Sequence, residues 1–222
     1  SDVCSSDLDT GGNIWRADLQ GDNTRDWKLT LLAAVGRHAS DGKWNDRRFF
    51  HRPDLVQTKD QHGNFDAVVI GSGDRADPLD NGGTAGNWMF MIKDRGTTVG
   101  AGTNTGFEDA DLADVTDNCL QEGSDCGLDL TTGWKLQMES LGEKILATPL
   151  TISGSVFFTS YIPPSGSAES ACTPSEGGGK LYAVSLQTAA AVINYDTSDD
   201  PNDPDGGNDD ADRKSTRLNS SH

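Results

Sequence analysis

Positive charge is scarce in this chain. Its 18 lysines and arginines stand against 35 aspartates and glutamates, a net charge of −17. So acidic a surface argues against nucleic acid and anionic membranes as partners. Long apolar runs are missing too: no stretch of about 18 apolar residues occurs, which excludes a transmembrane helix and, with it, direct membrane insertion. Histidine is rare. His38, His51 and His62 form no ligand pair, and each is expected exposed in a loop or on a strand edge. No Gly-x-Ser-x-Gly elbow supports a serine hydrolase. Gly71-Ser72-Gly73 is not followed by a helical pattern, which excludes a dinucleotide fingerprint. No apolar run keeps a helical period.

What is present is a set of short β-type runs, densest over residues 133–196. Residues 145–152 end at Ser153-Gly154, and 156–162 end at Pro163-Pro164. Residues 181–186 follow three glycines, and 190–195 run into aspartates. β-branched and aromatic residues dominate them, as a pleated, packed surface requires. Val156 and Phe158 face opposite to Phe157 and Tyr161, and Leu181 and Ala183 opposite to Tyr182 and Val184. Apolar residues on both faces predict strands in a sheet covered on both sides.

The pattern repeats. Asn13 to Leu19, Trp88 to Asp94 and Lys180 to Leu186 each follow turn glycines, and aligning them puts Trp15, Phe90 and Tyr182 at one position. Ala17, Ile92 and Val184 then fall together two residues on. The intervals exceed the roughly 40–50 residues of a bare propeller blade, so each carries an insertion. Residues 26–35 read as the outer strand of the first unit. Residues 48–58 open the second unit, 66–73 are its buried second strand, and 133–138 close it. Residues 96–132 read as a long insertion. The fold expected is all-β: a partial β-propeller of about two to three four-stranded blades with long loop insertions.

The two ends read as artefacts. One back-translation of Asp212 to Leu218 is GAT CGG AAG AGC ACA CGT CTG. With one flanking base on each side, its reverse complement translates as Ser-Asp-Val-Cys-Ser-Ser-Asp-Leu, which is residues 1–8. The sequence resembles a short-read sequencing adapter. Residues 1–8 and 212–222 are therefore expected to be adapter-derived and not to pack on the domain. That leaves a propeller segment at 9–196 and a truncated acidic loop at 197–211.

Cys4 belongs to the first of those ends. Cys119 and Cys126 lie in one polar loop at a spacing that suits a local disulfide, with free thiols the alternative. Zinc is disfavoured, because no histidine lies nearby to complete four ligands. In the acidic run at the other end of the segment, Asp199, Asp200, Asp203, Asp205 and Asp209 are candidate calcium ligands, with a solvated loop the alternative. Asp74 and Arg75, after the buried strand, read as a structural turn pair.

At GNIWRADL, FDAVVIGSGDR, MIKDRG, GWKLQM, ATPL, VFFTSYIPP and GKLYAVSL the chain resembles the C-terminal β-propeller domain of the PilC/PilY-type proteins of type IV pili. The most specific part is TSYIPP, then a cysteine, then SEGGGKLYAVSL. The resemblance implies a non-catalytic module on a cell-surface or pilus-tip protein that reaches the surface through the periplasm. It implies support of pilus biogenesis, adhesion and twitching, with pilus components or a host or surface adhesion target as partners. It also implies calcium in an EF-hand-like loop. With Gly206 as the loop glycine, Asp203, Asp205 and Asp209 fall on ligand positions, but Pro201 occupies the first. The alternative is a quinoprotein-like propeller dehydrogenase, which would need tryptophans recurring at one blade position. Phe90 and Tyr182 replace Trp15 there.

Overall fold

Fourteen strands and two single-turn 3₁₀ segments make up the described chain, a computed structural model covering residues 4–19, 22–36, 47–80, 86–96, 106–117, 127–164, 177–192 and 215–218. The first sheet holds β1 (Cys4–Leu8), β2 (Asn13–Asp18), β3 (Lys28–Ala34) and β7 (Phe107–Glu108), in the order β1-β2-β3-β7. The second holds β4 (Asp54–Asp60), β5 (Gly63–Gly71), β6 (Trp88–Asp94), β8 (Ala113–Asp114) and β9 (Gly133–Gln137), ordered β4-β5-β6-β9-β8. The third holds β10 (Lys144–Ile145), β11 (Leu150–Ile152), β12 (Ser155–Ile162), β13 (Gly178–Ser185) and β14 (Ser215–Leu218), ordered β10-β12-β13-β14 with β11 also on β12. No sheet closes on itself. This is an all-β fold, a partial β-propeller.

The second sheet lies between the other two, and alternation along its strands builds two cores. Val69, Met89, Met91 and Trp134 pack with Val156, Phe158, Tyr182 and Val184 of the third sheet. Val68, Ile70, Phe90 and Ile92 pack with Ile14, Leu32 and Val35 of the first. Side chains alternate faces every residue, so one strand feeds both cores, and every residue of β6 is buried. Trp15, Phe90 and Tyr182 sit on β2, β6 and β13, an interior strand of each of the three sheets, as the repeat requires.

Two glycines let the backbone make these approaches. A Cβ at Gly71 would lie 2.4 Å from Ile145 Cγ2, where the second sheet meets the third. The Gly71-Ser72-Gly73 turn is thus a packing device. Gly133 has φ of 134°, and a Cβ there would lie 2.0 Å from the Met91 carbonyl oxygen. Only glycine tolerates that backbone at that distance.

The structure corrects several expectations. Residues 145–152 split into β10 and β11, because Pro149 and the bend at Ala147 interrupt the ladder. β12 buries one face only, with Phe157 and Tyr161 half-buried and Thr159 exposed. Ala190 begins no strand: Val184 and Ala191 form an isolated bridge, and residues from 193 to 214 lie outside the described set. The 96–132 insertion is not a plain loop. Its described part forms β7, parallel to β3, and β8, parallel to β9, tying the first sheet to the second.

The chain ends take no central place in any sheet. β1 pairs along β2 and β14 along β13, each at the outer edge of its sheet. An edge strand presents a row of unpaired N–H and C=O groups, and a short extended segment of almost any sequence can satisfy them.

Candidate functional site

A groove of about 530 Å³ lies at the rim of the second sheet, lined by Gln57, Lys59, Asn64, Asp66 and Arg95 among others. Arg95, on its wall, is held by Asp60, the last residue of β4. Arg95 grips that carboxylate with both terminal nitrogens, at 3.1 and 2.7 Å, and Lys93 Nζ donates at 3.0 Å. The His62 amide across the hairpin turn adds a bond of 2.8 Å. The Arg95 bonds foremost, then Lys93, hold Asp60 far below the usual carboxylate range. Lys93 and Arg95 also lie over the Phe65 ring, 5.0 and 5.1 Å from its centroid. Both cations therefore meet a carboxylate and a ring within the protein, and the groove also carries the amides of Gln57 and Asn64, the Lys59 ammonium and the Asp66 carboxylate. Such a surface suits an uncharged polar partner better than an anion.

Elsewhere the buried charges are paired within the fold, some of them between sheets. Asp109 accepts from Arg47 Nη1 and Lys135 Nζ, each at 2.6 Å, and both cations face the Trp88 ring at 5.3 and 5.2 Å. Arg16 of β2 reaches Asp94 of β6 at 2.8 Å. Burial disfavours the Arg16 cation, but Asp94 and then Asp18 outweigh it and raise its pKa. Glu143 is fully buried and accepts from Tyr182 Oη at 2.7 Å, Ser160 Oγ at 2.5 Å, Lys180 Nζ at 3.1 Å and the Ser140 amide at 3.0 Å. Burial pushes its pKa up. The bonds from Ser160, Tyr182 and Ser140, with the Lys180 charge, more than reverse that and leave it below the ordinary value. These are structural anchors, since every partner belongs to the fold.

Asp199, Asp200, Asp203, Asp205 and Asp209, with Cys119 and Cys126, lie outside the described residues. Among the described residues no group of three acidic, histidine or cysteine side chains is placed to hold a metal ion. Asp74 does cap a turn, accepting from the amides of Ala76 and Asp77, but its ion-pair partner is Arg48 at 3.2 Å, not Arg75. His51 is not the exposed histidine expected. Both its ring nitrogens are out of solvent with no partner at hydrogen-bond geometry. Burial, then the charge of Arg75, push its pKa below the ordinary value, against an opposing backbone contact with Ile145. Sequence reading missed the Asp60, Asp109 and Glu143 centres. The signal available was charge inside otherwise apolar strands, as in Trp88 to Asp94 and Gly133 to Gln137.

Three stacked, mainly antiparallel sheets, each with an aromatic at the same place on an interior strand, define a β-propeller segment whose buried charges serve packing. The fold is that of the Pseudomonas aeruginosa PilY1 C-terminal domain: its crystal structure superposes with a TM-score of 0.53 at 18% identity. The match covers 84% of this chain and 44% of that one, so the chain spans less than half the length of the structure it resembles. No protein-family model matches the sequence, and no curated protein matches it. No helix among the described residues is long and apolar enough to cross a membrane.

Proposed function

We propose that the chain is a non-catalytic β-propeller module of a type IV pilus-associated protein, supporting pilus biogenesis, adhesion and twitching motility. The observation that carries the reading is the fold shared with the PilY1 C-terminal domain over 84% of the chain. The PilC/PilY-type strings lie on the strands of that fold: GNIWRADL spans β2, FDAVVIGSG runs along β5, and GKLYAVSL spans β13. The interior supports it as well, because the buried carboxylates of Asp109 and Glu143 are held by partners within the fold. The protein acts outside the cell, at the surface or pilus tip, after passage through the periplasm. Its partners are pilus components or a host or surface adhesion target, which the rim groove meets through amide, ammonium and carboxylate groups. Asp199, Asp200, Asp203, Asp205 and Asp209 form a weak calcium site, and Cys119 bridges to Cys126.

In a piliated bacterium carrying this reading frame, an in-frame deletion of codons 9–196 should reduce sheared surface pilin and shrink the twitching zone. Unchanged pilin and motility in the deletion strain would overturn the reading. A quinoprotein-like dehydrogenase would instead reduce an artificial electron acceptor when given pyrroloquinoline quinone, calcium and an alcohol. No such turnover is expected.

A further inference from the structure

We propose that His51 is an acid-sensitive latch at the corner where the second sheet meets the third. A proton on its ring parts the turn at residues 72–75 from Arg48 and from β10. Three stretches converge at this corner. Residues 47–53 lead into β4 and carry His51, Gly71-Ser72-Gly73 leaves β5, and β10 opens the third sheet. Two backbone bonds close it. The Gly73 amide donates to the Arg48 carbonyl at 2.9 Å, and the Ile145 amide to the Ser72 carbonyl at 3.1 Å. The packing is tight: a Cβ at Gly71 would lie 2.4 Å from Ile145 Cγ2, and one at Gly73 would lie 2.8 Å from the Ile145 carbonyl oxygen. Ser72 is also held to β6, by its amide to the Trp88 carbonyl and its hydroxyl from the Trp88 amide. It is the hinge about which the rest of the turn moves.

The closed corner has no place for a charged ring. Both His51 nitrogens are out of solvent, and among the described residues no group meets either at hydrogen-bond geometry. An imidazolium carries two N–H donors and needs two acceptors, and a buried cation without them is costly. The charged groups on the surrounding stretches are already engaged or of the wrong sign. On the stretch of His51 itself, Arg47 is held by Asp109, Arg48 pairs with Asp74 at 3.2 Å, and Arg52 is exposed. On the turn, Asp74 also accepts from the amides of Ala76 and Asp77. Beside β10, Glu143 takes four donors, and Lys144 donates to the carbonyls of Asp80 and Gly142. Among the described residues the charge that acts on the ring is that of Arg75, which is positive, exposed and on the turn. Moving the turn outward therefore relieves both costs at once, because it hydrates the ring and carries Arg75 away. The folded pKa lies below the ordinary 6.5, so the proton is taken up on opening. The latch is closed above pH 6.5 and loosens as pH falls below it.

Hydrogen exchange of the full chain, read amide by amide as protection factors, tests this directly. At pH 7.5 the Gly73 and Ile145 amides should be at least about tenfold less protected than those of β6, since the corner opens without the sheet. Between pH 7.5 and 5.5 their protection should fall about three- to tenfold, tenfold being the limit for one group charged only in the open form. His51→Gln should abolish that fall. Arg75→Gln, at an exposed site, should keep the fold and shrink the fall in protection, because one of the two forces on the proton is gone. Protection of Gly73 and Ile145 equal to that of β6 at pH 7.5 would overturn the proposal, since the corner would then open only with the whole molecule. A fall that persists in His51→Gln would overturn it too, as would one that Arg75→Gln leaves unchanged. The Arg75 variant decides alone if His51→Gln does not fold. The outcome is independent of the pilus reading, because no step depends on what the module binds.

Discussion

Single residues carry much of this fold because its buried charges are paired inside it. Glu143 is the sharpest case, with four donors on one fully buried carboxylate. Glu143→Ala would leave Lys180, Tyr182 and Ser160 facing each other without an acceptor. Removing one member of a buried charge pair costs about 3–5 kcal/mol, and at about 2–4 °C per kcal/mol for a chain of this size the melting midpoint should drop by roughly 6–20 °C. A drop under about 2 °C in differential scanning calorimetry would show that solvent reaches the site. His51 makes a pH-dependent prediction. Its folded pKa lies below its unfolded value of 6.5, so the unfolded chain takes up a proton first. Its contribution is complete above pH 6.5 and is lost as pH falls below it. Urea unfolding at pH 7.5 and 5.5 should show that loss in the parent and a flatter dependence in His51→Gln. Equal slopes in both proteins would remove His51 as the cause.

At the scale of elements, the strands are positioned as much by what is missing from them as by what they carry. β5 can run against β10 only because Gly71 has no side chain, and β9 can cross β6 only through the φ of Gly133. Gly133→Ala places a methyl group on the Met91 carbonyl in a backbone region that alanine rarely adopts. The expected loss is about 1–3 kcal/mol from backbone strain, with more from the clash. Gly63 offers a control. Its φ is also positive, at 114°, but nothing lies within 4 Å of a Cβ there, so Gly63→Ala should cost only the strain. Chemical denaturation of both variants checks this, and a larger loss at Gly63 would refute the close-approach account. The short β7 and β8 act in the same way as Asp109, between them in sequence: they hold the insertion across the first two sheets.

The whole molecule is a stack of three sheets with two cores, and coupling between sheets is its distinctive energetic feature. Arg16 and Asp94 are 78 residues apart and bond at 2.8 Å with both side chains buried. A double-mutant cycle of Arg16→Met with Asp94→Leu should return a coupling energy above about 1 kcal/mol, beyond the range of exposed pairs. A value near zero would show that the two sheets stack through their apolar faces alone. Calcium, if it binds as proposed, adds a term at this scale. Titration calorimetry should find dissociation constants of about 10⁻⁴–10⁻³ M, the range of extracellular modules. Binding should be lost on joint Asp203→Ala and Asp205→Ala, and affinity that survives that pair would place the site elsewhere.

The sequence by itself determined the class of fold and its repeat. Runs of β-branched and aromatic residues bounded by glycine and proline are local signals, so β2, β6 and β13 and the equivalence of Trp15, Phe90 and Tyr182 were legible before any contact was known. The PilC/PilY-type strings were legible for the same reason, lying on those strands. Tertiary structure alone decided the rest. That Asp60 meets Arg95, Asp109 meets Arg47 and Lys135, and Glu143 meets Tyr182 depends on which strands become neighbours. These pairs are 26 to 62 residues apart, beyond any local period. The same holds for His51, read as exposed in a loop or on a strand edge, whose ring nitrogens are out of solvent beside Ile145 of the third sheet. Local chemistry sets the strands. Which charges become buried, and therefore which must be paired, is fixed only when the sheets stack.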